Sequence, residues 1–371
     1  MKGAIIIPSY NRIEKTFNLC NDLLFKLKFK EIDLIISVDF YSVSMNTLFQ
    51  EKFDETKWSL GQKRIILRDE NIGLKKHIIE CGDLVVHYDY IIILEDDILV
   101  SCDFSKYIED SIDKYNFDSN VCGISLFSYS VSELKKNYFT GSSEKYDAFF
   151  LKWPSSWGQC WTKKMWLEFK VYYEQDNIDL ACLPNEVLNW DNSWKKYFLS
   201  YMIDKNKYFL YPNKSFTISV QSEGEHFSFL SYDFLTSNYF DSQTKKFSFP
   251  NFNKKISFNH FFQRDTVDFN FRGELFSCEV DLYLEKKNYD YTYLITLVKQ
   301  KKYINKFMIL TYPIEDSLKS PQKSNSENAI YLIKSNDVSK EFKNIYSTPK
   351  LLGLHNLKTL IFKKILTYFN L

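Results

Sequence analysis

Residues 90–97 have the sequence Tyr-Ile-Ile-Ile-Leu-Glu-Asp-Asp, an apolar run that ends abruptly in three consecutive carboxylates. A continuous run of this length, rich in β-branched side chains, is typical of a strand buried on both faces in a parallel sheet. Unpaired carboxylates are too costly to bury in such a core, so the strand is expected to end where the acids begin. Its carboxyl end would then open into a crevice, which is where open α/β sheets bind ligands.

Three further apolar runs precede this stretch, at residues 4–8, 32–38 and 64–67. Apolar residues at helical spacing follow at 13–29, and a second helix is expected from 74 to about 87. Strands that alternate with helices predict an α/β fold with a mostly parallel sheet flanked by helices. Each strand is followed by polar residues, namely Asn11 and Arg12, Asp39, Arg68 and Asn71, and Glu95, Asp96 and Asp97.

The acidic triplet has two interpretations when it is considered alone. Clustered carboxylate oxygens suit Mg²⁺ or Mn²⁺, which usually bind together with substrate phosphates. The alternative is a solvated acidic turn with no ligand. Because polar residues follow four strands whose ends share one rim, a nucleotide-sized crevice is the better interpretation.

Composition excludes several classes of function. The net charge of +1 argues against a nucleic-acid partner. The seven cysteines are scattered and odd in number, which indicates reduced thiols in a cytosolic protein. We find neither a signal peptide nor an uncharged apolar window of about 18 residues, so we expect a cytoplasmic protein without a membrane span.

Further pieces of sequence occur in a characteristic order between residues 3 and 230. They are Pro8-Ser9-Tyr10-Asn11-Arg12, Asp39, the acidic triplet followed by Asp103, Trp157-Gly158 with Trp161, Trp190-Asp191, Tyr211-Pro212, and Gly224 with His226. The ordered set resembles GT-A-fold glycosyltransferases that use nucleotide-sugar donors. It looks closest to the inverting N-acetylglucosaminyltransferase I family, and more loosely to bacterial polysaccharide glycosyltransferases. The resemblance implies a GT-A, Rossmann-like sheet.

The resemblance also implies roles for individual residues in binding the donor. Asp97 would be the direct metal ligand, Asp96 would face the ribose or sugar of the donor, and Glu95 would contact the sugar or orient the acceptor side. Arg12 and Asp39 would contact the base and ribose, and the alternatives are a solvated charge and a turn former. Trp157 and Gly158 would form a loop that faces the sugar, against the alternative of core packing.

Asp191 is the candidate general base. An inverting transfer needs a carboxylate within reach of the attacking hydroxyl, on the face opposite the leaving group. We expect Trp190 and Trp194 to shield this carboxylate from water, and the alternative is a residue that caps the following helix. Asn192 stands where the family often has a second acid, so Asp191 is the sole candidate there.

The C-terminal part has a different character. Residues 276–285 alternate between apolar and polar side chains, which predicts a strand with one wet face. We therefore divide the chain into a GT-A domain at 1–265 and a smaller α+β accessory region at 266–371. Residues 354–371 are amphipathic, with lysines and no acids. Such a helix either lies on an anionic membrane surface or packs on the core of the protein itself.

The sequence thus predicts a metal-dependent inverting glycosyltransferase that uses Mn²⁺ or Mg²⁺. Its donor would be a nucleotide sugar, with UDP-sugars favoured, and its acceptor a saccharide or lipid-linked sugar in surface polysaccharide synthesis. A sugar nucleotidyltransferase is the alternative enzyme, although the loop after the first strand lacks the glycines that such an enzyme would want. A catalytically inactive carbohydrate-binding protein is the non-enzyme alternative.

Overall fold

The computed structural model describes residues 1–135, 139–141, 145–219, 246–252, 256–311 and 313–341. The chain divides into two compact units, Met1–Ser128 with Gly141–Asn251, and Tyr129–Thr140 with Phe252–Leu371. Gly224, His226 and the amphipathic stretch 354–371 lie outside the described residues. The domain boundary at residue 265 stays a prediction from the sequence.

The first unit alternates strands with helices along its first half. Its elements are β1 (Gly3–Ser9), α1 (Ile13–Lys26), β2 (Asp33–Val38), α2 (Val43–Glu55), β3 (Lys63–Leu67), α3 (Leu74–Asp83), β4 (Tyr90–Ile93), β5 (Ile98–Val100), α4 (Phe104–Tyr115), β6 (Val121–Ser125), β7 (Ala148–Leu151), β8 (Gln159–Thr162), α5 (Lys163–Tyr173), α6 (Asn185–Leu188), α7 (Trp194–Asp204), β9 (Tyr208–Pro212) and β10 (Thr217–Ser219). This alternation is the pattern of an α/β sheet protein.

The strands of this unit lie in the order β7-β9-β6-β8-β4-β1-β2-β3 in one sheet, and β5 pairs with β10 outside it. The four strands β3, β2, β1 and β4 are parallel, and so are β6 and β9. Strand β8 is antiparallel to β4 and β6, and β7 is antiparallel to β9. The predicted α/β fold with a mostly parallel sheet flanked by helices is confirmed.

The strand that ends in the acidic triplet has the predicted surroundings. Residues 90–94 are all buried, and β4 lies between β1 and β8. Its last backbone contact with β1 is the Leu94 N–H, which donates to the Ile6 carbonyl at 3.0 Å. The next three residues leave the sheet, as expected from the cost of placing carboxylates in an apolar core.

The second unit contains a sheet of its own. After β11 (Ser257–Phe258), the strands β12 (Thr266–Phe271), β13 (Glu274–Val280), β14 (Tyr293–Thr296), β15 (Asn305–Phe307) and β16 (Ile330–Lys334) form it in the order β12-β13-β14-β16-β15. Apolar clusters cover both faces, one with Phe276 and Leu332 and the other with Leu294 and Tyr331. The described part of the unit adds 3-10 turns at Ile314–Lys319 and Ser335–Asp337.

The strand predicted at 276–285 is shorter than expected. It ends at Val280, and Leu284 has a left-handed φ of 54°. The reason is Asp281, whose carboxylate accepts hydrogen bonds from the backbone N–H groups of Glu285 and Lys286. An Asp that binds the backbone a few residues ahead turns the chain out of a ladder.

Within the described ranges, no helix combines the length and apolar character needed to cross a bilayer.

Candidate active site

The acidic triplet and Arg12 form an ion-pair cluster at the carboxyl end of the parallel strands. Arg12, which follows β1, donates from Nη1 to Asp96 Oδ1 at 3.1 Å and to Asp97 Oδ2 at 3.0 Å. Both carboxylates are buried, while the Arg12 side chain is one-third exposed. The loops after β1 and β4 meet here because the two strands are parallel neighbours. Arg12 is therefore not a solvated helix-start charge.

Asp96 is held from the α1 side as well. Its Oδ2 accepts a 3.1 Å hydrogen bond from the Ser9 hydroxyl, which also shares a 2.7 Å hydrogen bond with the Thr16 hydroxyl on α1. Burial nevertheless raises the pKa of Asp96 above its ordinary value, against the opposing effect of Arg12. The carboxylate is thus fixed in orientation within a partly desolvated site.

Asp97 uses only one of its two carboxylate oxygens in hydrogen bonds with the described residues. Its Oδ2 pairs with Arg12, but the buried Oδ1 has no hydrogen-bond partner among the described residues. A buried polar atom left in this way points to a missing water, ion or ligand. Asp97 is thereby suited to offer one oxygen to a hard cation.

Glu95, the first acid of the triplet, is part-buried. Burial, together with the charges of Asp97 and Asp96, raises the pKa of Glu95 to about 8. The positive charges of Lys195 and Arg12 act in the opposite direction. Lys195 stands in the first turn of α7, so the N-terminal end of this helix lies within electrostatic range of the triplet.

Asp39 organises the loop before α3. Its Oδ1 accepts from the N–H groups of Phe40 at 2.9 Å and Ile72 at 3.0 Å, and its Oδ2 accepts from Gly73 N–H at 3.0 Å. Gly73 has a φ of 78°, a conformation that favours glycine. The turn-forming alternative considered for Asp39 is therefore present, and these bonds leave an acceptor position on Oδ2.

Two tyrosines to which the sequence analysis gave no role stand on the same rim. Tyr10 follows β1 and Tyr41 follows β2, and their rings meet edge to face at a centroid distance of 5.3 Å. Both side chains are exposed, at 39% and 52%. Large exposed aromatic rings beside a charged cluster are typical of a recognition surface. The available signal was the position of each Tyr within three residues of the end of a strand.

Trp157 and Gly158 lie in the connection from β7 to β8. The Trp157 ring is part-buried and packs edge to face on Phe127 at 4.7 Å. Gly158 has a φ of 91°, and a Cβ there would lie 2.9 Å from Thr217 Cγ2. The glycine thus permits close packing against the neighbouring chain, while part of the Trp157 ring stays accessible.

Asp191 lies in the exposed turn between α6 and α7. Trp190, which precedes it, is part-buried and packs on Trp153 at 5.9 Å. The expected shielding of Asp191 from water by Trp190 and Trp194 is wrong, because Asp191 is exposed. The Trp194 ring is buried in the core against Trp161 at 5.7 Å. Helix α7 begins at Trp194, so its first apolar side chain turns inward.

Lys195 lies close to Trp190, in the turn that carries Asp191, and its charge acts on the acidic triplet. Its Nζ lies 5.5 Å from the ring centre of Trp153 and 5.7 Å from that of Trp190. The same charge acts on Glu95. The structure therefore places Arg12 with Asp96 and Asp97, and it places the Trp190 side of the turn near Glu95.

The metal predicted at Asp97 can be tested against the residues present. Where the structure describes the chain, no group of three or more His, Cys, Asp or Glu side chains is arranged to hold a metal ion. Mg²⁺-type ions, however, are commonly bound by one or two carboxylates together with substrate phosphates. The unpartnered Oδ1 of Asp97 fits that mode of binding.

Comparison with protein-family models and with curated proteins finds no match. Among solved structures, S. aureus TarS 1-349 in complex with UDP-GlcNAc is 16% identical, with a TM-score of 0.39 over 61% of this chain and 60% of that one. Mannosyltransferase PcManGT from Pyrobaculum calidifontis, in complex with GDP-Man and Mn²⁺, is 12% identical, with a TM-score of 0.37 over 60% and 58%. GalNAc-T7 with UDP, GalNAc and Mn²⁺ is 11% identical, with a TM-score of 0.41 over 57% and 42%.

These structures are GT-A-type glycosyltransferases, the class that the sequence resembles. The chain covers less than two thirds of each solved chain. At this level of similarity the comparison assigns no residue, substrate or metal to this protein.

Proposed function

We propose that the protein is a metal-dependent inverting glycosyltransferase of the hexosyltransferase type. It would move a sugar from a nucleotide-sugar donor, with UDP-sugars favoured, to a saccharide or glycolipid acceptor in surface polysaccharide synthesis. The observation that carries the proposal is the buried Oδ1 of Asp97, beside Arg12 at the carboxyl end of parallel strands, which has no partner among the residues that the structure describes. That edge is where α/β sheets bind nucleotides.

The nucleotide would lie along the rim formed by the loops after β1 and β2. Tyr10 and Tyr41 offer exposed rings to the base, and the loop held by Asp39 supplies polar groups beside them. Arg12 fixes the orientation of Asp96 and Asp97 through its two ion pairs. Asp96 would then contact the ribose or sugar of the donor.

Asp97 would hold a divalent ion, Mn²⁺ or Mg²⁺. When bound, such an ion neutralises charge on the diphosphate leaving group as a Lewis acid. Arg12 keeps the Asp97 carboxylate in place by pairing with Oδ2, which leaves Oδ1 for the ion. Glu95 would contact the sugar or orient the acceptor side, and Trp157 with Gly158 would face the sugar.

Asp191 would act as the general base. Its position in an exposed turn leaves it accessible to an acceptor hydroxyl, and Lys195 connects this turn to Glu95. A carboxylate on the acceptor side takes the proton as the hydroxyl attacks.

The decisive test is the binding of UDP and UDP-sugars to the wild-type protein and Asp97→Asn, with and without Mn²⁺, by calorimetry. We expect Mn²⁺ to tighten binding to the wild-type protein and to have little effect on the variant. Asp33→Asn is the matched control. Asp33 is equally buried, but it is the first residue of β2 and so lies at the amino end of the parallel strands. An Mn²⁺ effect that persists in Asp97→Asn would contradict the assignment of the metal ligand.

The role of Asp191 is tested separately. Asp191→Asn should lower transfer by about 10²–10⁴-fold, the usual contribution of a general base, and leave donor affinity unchanged. Asn192→Ala, at the exposed neighbouring position, is the control. Loss of donor affinity in Asp191→Asn would place Asp191 on the donor side instead.

We further propose a cytoplasmic protein that contacts the inner face of the membrane through the basic stretch 354–371, where lipid-linked acceptors would be met. Flotation of the full-length and 1–353 proteins with anionic liposomes tests this contact. Only the full-length protein should float, and equal flotation of both would remove the membrane role.

A further inference from the structure

Strand β8 begins with Gln159, whose buried side-chain amide has no hydrogen-bond partner among the described residues. Gln159 has no exposed surface, and neither its Oε1 nor its Nε2 has a partner among the described residues. The hydroxyl of Ser155, four residues earlier, is also fully buried and has no partner where the structure describes the chain. Polar groups that give up water without a replacement destabilise a fold, so such a group calls for a bound molecule.

The strand register shows which face of the sheet Gln159 occupies. Gln159 stands opposite Ile93 of β4, and Trp161 stands opposite Ile91. Directly opposed residues in an antiparallel pair project from the same face. Trp161 packs on Trp194 at 5.7 Å, so this is the face covered by the start of α7. The buried indole N–H of Trp161 has no partner there either, in the part of the chain that is described.

Glu95 follows the end of β4 that pairs with Gln159. It comes two residues after Ile93, the residue opposite Gln159, at the point where the chain leaves the sheet. The charge of Lys195, from the start of α7, also acts on Glu95. Because Glu95 is part-buried, the chain reaches solvent within two residues of the position that pairs with Gln159.

We propose that Gln159, together with Ser155, recognises hydroxyl groups of the sugar that is transferred. A carboxamide offers both a donor and an acceptor, which matches a sugar hydroxyl. A phosphate would instead call for cationic partners. Trp190, whose part-buried ring lies 5.7 Å from Lys195 Nζ, supplies an apolar surface for a sugar face. The assignment rests on the proposed function, because it places the donor's sugar beside the acidic triplet.

The test compares UDP with UDP-N-acetylglucosamine, UDP-glucose and UDP-galactose by calorimetry in the presence of Mn²⁺. The measured quantity is the ratio of the Kd for UDP to the Kd for the tightest of the three sugars. Gln159→Leu should lower this ratio by about three- to tenfold for each hydrogen bond lost, and leave the Kd for UDP unchanged. Ser155→Ala should act in the same direction and more weakly. Ser111→Ala is the control, because Ser111 is equally buried but lies on α4.

Thermal unfolding of the ligand-free proteins gives an independent readout. If the Gln159 amide makes its hydrogen bonds only to a bound ligand, Gln159→Leu should unfold at the same temperature as the wild type or higher. The reason is that an apolar side chain of similar size replaces an unsatisfied polar group. A lower melting temperature together with an unchanged ratio would show a structural buried water and overturn the proposal. If the wild-type protein binds neither UDP nor any of the three sugars, the proposed function itself fails.

Discussion

At the scale of single residues, the acidic triplet consists of groups in different environments. Asp97 has one oxygen without a partner among the described residues, and Asp96 is held by Ser9 and Arg12. Burial and the two neighbouring acids raise the pKa of Glu95 to about 8. The sequence located the triplet and the end of the strand before it, because carboxylates end an apolar run. It could not show that Arg12 pairs with two of the acids, since that contact depends on the parallel pairing of β1 with β4.

Glu95 should make the protein less stable as pH rises. In the unfolded chain its carboxyl ionises near pH 4.5, whereas in the folded protein its pKa is about 8. The free energy of unfolding therefore falls between about pH 4.5 and 8, by about 3 kcal/mol when the partial exposure of Glu95 is taken into account. Glu95→Gln should remove this loss. The measurement is urea unfolding at pH 5 and pH 8 in EDTA.

The comparison of interest is the stability of Glu95→Gln relative to the wild type. We expect the variant to be more stable at pH 8 and nearly equal at pH 5. Glu51→Gln on the exposed side of α2 should differ from the wild type by the same amount at both values. A constant difference for Glu95→Gln as well would show that the carboxyl is already ionised at neutral pH.

His77 should have the opposite effect on stability, because it makes the protein less stable as pH falls. It is buried on α3, and its Nε2 lies 3.0 Å from the Ser37 hydroxyl. Burial and the positive charge of Arg68 lower its pKa to about 4, so the folded protein keeps it neutral. As pH falls from 6.5 to 4, the unfolded state gains a proton that the folded state does not, and stability is lost.

His77→Gln removes this acid sensitivity. We expect the variant to be less stable than the wild type at pH 7, because the packing and the bond to Ser37 are altered. The difference in the free energy of unfolding between the wild type and the variant should be about 2–3 kcal/mol smaller at pH 4.5 than at pH 7, as measured by urea unfolding. A gap of equal size at both pH values would mean that His77 is protonated in the folded protein.

At the scale of elements, prediction succeeded where one local signal was strong. Strands β1, β2, β3 and β4 are short apolar runs with clear stops, and α1 lies within the stretch 13–29 where apolar residues recur at helical spacing. Helix α2 went unrecognised because it buries only Phe49 and Phe53 and so lacks a full apolar stripe. Strands β7 and β8 have only four residues each, too few to show a period.

The connection from β7 to β8 should be sensitive to a methyl group at Gly158. Alanine there would adopt a φ of 91° and place its Cβ 2.9 Å from Thr217 Cγ2 and 3.2 Å from Leu126 Cβ. Thr217 cannot easily move away, since its hydroxyl donates to the Trp157 carbonyl at 2.6 Å. Gly158→Ala should therefore lower the stability of the first unit by about 2–4 kcal/mol.

Tryptophan fluorescence is the measurement for this variant, because all seven tryptophans lie between residues 58 and 194. Thr217→Ser in the Gly158→Ala background removes the clashing methyl and keeps the hydroxyl. That double variant should recover part of the loss. Recovery of nothing would attribute the loss to backbone strain alone.

At the scale of the whole molecule, every residue proposed for donor binding or catalysis belongs to the first unit. The second unit has its own sheet and apolar clusters, and the resemblance seen in the sequence covers only residues 3–230. The sequence indicated this difference through the alternating pattern around 276. It could not predict which residues close each unit, because Tyr129–Thr140 joins the second unit from within the first.

This division predicts where a donor should protect the backbone. UDP with Mn²⁺ should slow amide hydrogen exchange in the loops at residues 9–12, 39–41, 71–73 and 95–97, since ligand binding suppresses the local opening of such loops. The loop at 71–73 should respond even without a direct contact, because Asp39 holds the Ile72 and Gly73 amides. Peptides from β13 and β14 should exchange at an unchanged rate.

UDP without metal should give weaker protection of the same loops. Asp97→Asn should show that weaker protection both with and without Mn²⁺. Protection that centres on β13 and β14 would move the nucleotide site to the second unit and remove the basis for every residue assignment made at the acidic triplet.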